Sequence, residues 1–198
     1  MAGKVELRKA RLREALIDAA EAQIEAGGLS ALKARVLAKE AGCSVGAIYN
    51  IFEDLDALAM AVNARTFRAL GAFVSARVRD AGAAGPQGQM ITMSHAYLGF
   101  ALEHTHLWRA LFDLEMSVDG QVPAWYLQEL AAVFALIDAP LAVLFPEMKA
   151  QERELMVRAL FSSVHGIVLL GLERRISAVP QDQIETMLAQ VLGQIGKN

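Results

Sequence analysis

Gly42 and Ser44, two residues apart between short apolar-patterned stretches, constrain this chain more than any other part of it. Glycine reaches the left-handed backbone conformation that closes a helix, and serine accepts a hydrogen bond from a free N–H at the start of the next. The segment Ala41-Gly42-Cys43-Ser44-Val45-Gly46-Ala47-Ile48-Tyr49-Asn50-Ile51-Phe52 therefore reads as a tight turn feeding a very short helix, Val45 to Asn50. Before it, Lys33 to Ala41 forms a short helix with Ala34, Leu37, Ala38 and Ala41 inward. Further upstream, Leu12, Leu16, Ile17, Ala20 and Ile24 recur at helical spacing until Gly27-Gly28 stops the pattern. Three helices thus occupy roughly the first 52 residues.

After Phe52 the pattern lengthens. Leu55 to Ala81 carries Leu55, Leu58, Val62, Ala69 and Phe73 on one face with only Gly71 as an interruption. Ala81 to Gly88 reads as a linker, and further helices are expected at Met90–His104, Leu107–Met116, Pro123–Phe145 with a kink at Pro140, Lys149–Arg175 and Pro180–Ile195. No strand-like alternation appears, so the expected fold is all-α. A helix-turn-helix domain over 1–54 precedes a helical bundle over 55–198. With 198 residues, 55% of them hydrophobic, a full core is available and a disordered chain is excluded. No uninterrupted apolar run approaches the roughly 18–20 residues of a membrane span. The N-terminus lacks an apolar signal core, and the single Cys43 has no internal partner, which together point to a reduced cytoplasmic location.

Two late segments are apolar on more than one side, which demands cover on all sides. They are Leu155 to Leu172 and the final helix. A two-fold partner is the natural cover, contacting Phe161, His165, Gly166, Leu169, Leu170, Ile184, Met187, Leu188 and Val191. The alternative is that these helices are central in their own bundle.

The net charge of −3 hides an asymmetry. Residues 1–52 carry +2 and the remainder −5, and Lys4, Arg8, Lys9, Arg11 and Arg13 crowd the first 13 positions against Glu6 alone. Such a stretch suits an arm lying along phosphates or an ordinary solvated helix start.

The pattern Arg35-x-Leu37-Ala38-x-Glu40-Ala41-Gly42-Cys43-Ser44-Val45-Gly46-Ala47-Ile48-Tyr49-Asn50-x-Phe52 resembles the helix-turn-helix of TetR-family transcriptional regulators. Tyr97 to Trp108 and Leu160 to Ile167 resemble the subgroup whose ligand domain carries a Trp…His-Gly signature, with Phe161 in place of the Trp. The resemblance implies a ligand-responsive regulator, a repressor, binding double-stranded DNA at an inverted repeat as a homodimer. Val45, Gly46, Ala47 and Asn50 would then face base edges in the major groove, Asn50 as the main hydrogen-bonding reader. Ser44 opens that helix, and Tyr49, Lys33 and Arg35, with the basic N-terminal stretch, would meet phosphates. Two positions depart from the family pattern: Lys33 stands where Ser or Thr usually caps the second helix, and Leu55 stands where many members carry a phosphate-binding Lys.

Met93, Tyr97, Phe100, His104, Trp108, Phe112, Met116 and Trp125 form an aromatic and Met-rich set suited to a small apolar or aromatic effector, or equally to an ordinary core. No enzyme is expected: His104 and His106 lie two apart, His165 sits alone in an apolar run, and neither metal-ligand spacing nor a nucleophile triad is present. No cofactor or metal is implied. The rival function is a helical dimeric small-molecule-binding protein with weak or atypical DNA binding, suggested by Leu55 inside the acidic run Glu53 to Asp56.

Overall fold

The computed structural model describes residues 2–82, 84–114, 122–173 and 180–196. These form nine α-helices, with no strand among the described residues: α1 (Ala2–Gly27), α2 (Ala34–Glu40), α3 (Val45–Tyr49), α4 (Leu55–Ala81), α5 (Gly85–Glu103), α6 (Thr105–Asp113), α7 (Ala124–Leu144), α8 (Ala150–Leu172) and α9 (Ile184–Leu192). The chain separates into two compact units. One comprises residues 1–66 and 104–126, and the other 67–103 and 127–198.

The first unit is larger than the segment 1–54. Its core joins Leu16, Ile24, Leu37, Ile48 and Phe52 to the start of α4 and to Leu107 and Ala110 of α6. One reason is polar. Asn63 of α4 is fully buried, and its Nδ2 donates to the Ala110 carbonyl at 2.8 Å and to the Tyr126 hydroxyl at 3.4 Å. Ala110 lies in the last turn of α6, where carbonyls lack helical partners, so Asn63 satisfies an acceptor that burial would otherwise strand. Burial pushes the Tyr126 phenol up in pKa, and the Asn63 hydrogen bond partly opposes it.

A second tie is ionic. Arg65 of α4 reaches three α1 carboxylates, Asp18 at 2.6 Å, Glu14 at 2.7 Å and Glu21 at 2.9 Å. Partial burial alone would lower its pKa, but the three acids outweigh that and hold the guanidinium charged. Because four charged groups share one network, the contact fixes the α1–α4 geometry better than an isolated surface pair would.

In the second unit, Met90, Leu141, Val157, Leu160 and Leu192 form the core. The expected linker 81–88 is shorter than the glycines suggested: α5 begins at Gly85, because Pro86 suits a first helical turn, where its missing N–H costs nothing. Gln87 donates to the carbonyls of Gly193 and Ile195 at 3.0 and 2.7 Å, pinning the end of α9 to α5. α9 packs on α8 through Gly171, where an added Cβ would overlap Ile184. α7 and α8 each reach a mean hydropathy of 1.8 over an 18-residue window, enough by length and composition to cross a membrane. Neither is uninterrupted, since Gln128, Glu129 and Asp138 fall within α7 and Arg153, Glu154 and Arg158 within α8.

Candidate DNA-binding surface and ligand cavity

The turn between α2 and α3 is built by its own residues. Gly42 sits at φ 63°, and the Cys43 N–H reaches back to the Ala38 carbonyl at 2.8 Å, closing α2. Ser44, extended at φ −83° and ψ 155°, accepts from the Ala47 N–H at 3.2 Å and opens α3. Leu37 and Ile48 are fully buried and hold the two helices together. What remains outward is Val45, Gly46, Tyr49 and Asn50, with Ala47 half-buried. Lys33 and Arg35 are exposed beside them, at the start of α2. Asn50 is the residue that ends α3, in αR conformation, so it stands one position past the helix rather than within it.

Two contacts here escaped the sequence. Lys33 does not cap α2 with its side chain. Its N–H is accepted by Gln23 Oε1 of α1 at 3.1 Å, and Gln23 Nε2 donates to Glu40 at the other end of α2 at 2.8 Å. One α1 residue thus brackets the whole of α2. Asp54 accepts from the Ala57 N–H at 2.7 Å and caps α4, which gives the acidic run a structural task, while Leu55 is half-buried against the core. The basic N-terminal stretch is helical from Ala2 onward, not an extended arm, with Lys4, Arg8, Lys9 and Arg11 exposed. Arg13 instead lies 5.2 Å over the Phe52 ring.

The second unit holds a cavity of about 60 Å³. α4 contributes Leu70 and Val74, α5 Met93 and Tyr97, and α8 Phe161 and Val164, with further apolar residues from α7 and α9. Of the eight expected effector residues, Met93 and Tyr97 line it. Phe100 packs edge-on against Phe73 at 5.8 Å instead. His104, Trp108, Phe112 and Trp125 belong to the other unit: His104 Nδ1 faces Glu25 at 3.4 Å, Trp108 is fully buried, and Phe112 and Trp125 are 41% and 42% exposed. The cause is a break at His104, with φ −127° and ψ 47°, which ends α5 and sends α6 onto α1. Met116 lies outside the described residues.

The expected dimerisation set also divides. Ile184 and Leu188 are fully buried by their own chain, so they are core. Phe161 lines the cavity and stacks on His165 with centroids 5.6 Å apart and planes at 16°. The Tyr97 hydroxyl lies 2.8 Å from His165 Nδ1, and burial lowers the His165 pKa, so the ring is neutral at neutral pH. Leu169 and Met187 are half-buried. Gly166 has no atom within 4 Å of a built Cβ, and Leu170 and Val191 are 43% and 40% exposed. Leu155, 64% exposed, begins the apolar segment Leu155 to Leu172 and, although outside the expected contact set, extends this open face along α8.

An all-helical chain with a serine-capped reading helix in one unit and an apolar cavity in the other has the build of a helix-turn-helix regulator. Residues 16–62 match the family described as bacterial regulatory proteins, tetR family, and residues 90–194 match the tetracyclin repressor-like C-terminal domain. The chain belongs to the TetR family of transcriptional regulators, a non-enzyme family. Solved structures share the fold. A protein of unknown function from Rhodococcus sp. RHA1 aligns at TM-score 0.71 with 23% identity, over 91% of this chain and 93% of that one. RolR, solved in complex with its ligand resorcinol, aligns at TM-score 0.70 with 17% identity, over 94% and 88%. A TetR transcriptional regulator from Rhodococcus sp. RHA1 aligns at TM-score 0.60 with 18% identity, over 95% and 96%. No curated protein matches the chain.

Proposed function

We propose that this chain is a cytoplasmic, ligand-responsive repressor that binds an inverted-repeat operator as a homodimer, with residues 1–54 as its reading head and 55–198 as its effector and dimerisation part. The observation that carries this reading is the α3 surface, where Val45, Gly46, Tyr49 and Asn50 stand exposed beside Lys33 and Arg35 on a helix fixed by Ser44. Small and apolar side chains permit close approach and contact with thymine methyls, and Asn50 supplies an amide suited to adenine. Lys33, Arg35 and Tyr49 suit phosphate oxygens. The likeness in fold to RolR supports a small effector in the cavity.

A gel shift against the intergenic DNA beside its own gene tests the proposal. Asn50→Ala should lower operator affinity by about 1–3 kcal/mol per half-site while sparing random DNA. Lys33→Ala should weaken both alike and flatten the salt slope by about one per half-site. Equal losses on operator and random DNA for Asn50→Ala would remove it as a base reader. Absence of any specific shift would favour the rival reading, a ligand-binding dimer with weak DNA affinity, which the acidic start of α4 at Glu53, Asp54 and Asp56 supports.

The dimer we propose forms on the open face of α8 and α9, through Leu155, Gly166, Leu170 and Val191, with Met187 and Leu169 at its margin. The double variant Leu155→Glu/Leu170→Glu should sediment as a folded monomer and lose at least about a hundredfold in operator affinity, since linked half-site binding is worth that much or more. A dimer persisting in that variant would place the interface elsewhere.

A further inference from the structure

The cavity of the second unit is almost free of polar atoms. Among its lining side chains only Ser94 and Tyr97 carry oxygen, and Ser94 donates its hydroxyl to the Ile91 carbonyl at 2.7 Å. Among the described residues no charged side chain lines it. Tyr97 is buried, and its hydroxyl is held at 2.8 Å by His165 Nδ1, whose ring is in turn fixed by stacking on Phe161. Tyr97 also meets Phe161 edge-on at 6.0 Å. Tyr97 thus brings one hydroxyl to an otherwise hydrocarbon lining, and that hydroxyl is fixed by His165, which is not among the lining residues.

The pairing has two forms of equal heavy-atom geometry. With the imidazole proton on Nε2, Tyr97 donates to Nδ1 and its oxygen accepts from a ligand; with the proton on Nδ1, His165 donates to the oxygen and the tyrosine proton turns to a ligand acceptor. A hydroxyl and a carbonyl are thus both answered at the same atom. An ionised group is not, because a carboxylate or ammonium would lose its hydration to a wall offering no counter-charge.

Resting on the reading of this cavity as the effector site, we infer that Tyr97, positioned by His165, is its polar reader and selects neutral, largely hydrocarbon molecules bearing one hydroxyl or carbonyl. Met90 and Met93 line the same cavity and are the side chains best able to yield to a ring, their thioethers being unbranched and flexible.

Calorimetric titration of the full chain with p-cresol, its isostere p-xylene and 4-methylbenzoate at neutral pH tests this. The expected result is p-cresol binding about fivefold to tenfold more tightly than p-xylene, the worth of one net hydrogen bond, and no detectable binding of 4-methylbenzoate. Tyr97→Phe should bring the cresol-to-xylene ratio to about one with p-xylene affinity unchanged. His165→Phe, which keeps the stacking and loses Nδ1, should reduce the ratio without altering p-xylene binding. Melting curves of both variants guard against misfolding, and a merely structural role would shift all ligands together. A ratio near one in the unaltered protein, a preserved ratio in Tyr97→Phe, 4-methylbenzoate binding as tightly as p-cresol, or binding of none of the three each overturns the inference. Operator gel shifts on the same preparations separate such a failure from a failure of the regulator reading.

Discussion

Trp108→Ala is expected to cost the first unit about 3–5 kcal/mol and with it operator binding, while leaving the cavity of the second unit intact. The indole is fully buried on α6, within the unit that carries the reading head, and Phe112 packs edge-on against it at 5.7 Å. Truncation removes the transfer energy of the largest fully buried side chain in that unit and leaves a void that the helices close only in part. Denaturant unfolding followed at α1 to α3 by hydrogen exchange reads the loss directly. Had Trp108 lined the effector site, the variant would keep its unfolding midpoint and change p-cresol affinity instead. That outcome would reverse the assignment made here.

Gly171→Ala is expected to destabilise the second unit by about 1–3 kcal/mol, although alanine is the better helix former by about 1 kcal/mol. The added methyl falls on Ile184, which is fully buried at the start of α9 and cannot turn outward. Clash outweighs propensity because the obstructing atoms belong to a core side chain, not to a surface rotamer. The double variant Gly171→Ala/Ile184→Ala makes room for the methyl, so its cost should be less than the sum of the single costs, a coupling of the sign that contact predicts. Strict additivity of the two changes in thermal unfolding would show that α8 and α9 do not meet there.

The reading head was legible in the sequence because its determinants are local. Gly42, Ser44, Leu37 and Ile48 act through turn chemistry and short-range packing, and each stands where that chemistry requires. The brackets around it were not legible, since Gln23 meets Lys33 and Glu40 across 10 and 17 residues of chain, and nothing in a glutamine announces a distant N–H. The expected effector set divides for a different reason. The break at His104 is legible, but periodicity gives each helix an apolar face without saying what that face meets, and α6 turns its face onto α1. Met93 and Tyr97 lie before the break and line the cavity; Trp108 and Phe112 lie after it and do not. In α9 the same ambiguity takes another form. Ile184 and Leu188 differ from Met187 and Val191 only by a rotation about the helix, and an apolar pattern does not say which side faces the chain's own core.

The cavity of about 60 Å³ is well below the roughly 150 Å³ that an engineered core needs to take up benzene. A ring therefore enters only as the lining yields, with Met90 and Met93 the side chains most able to move. Uptake then follows the frequency of that movement rather than the frequency of collision, so the observed rate reaches a plateau as ligand concentration rises, and its initial slope lies below the about 10⁵–10⁷ M⁻¹s⁻¹ of unobstructed docking. A ligand present only briefly is not taken up, whereas a sustained supply fills the cavity.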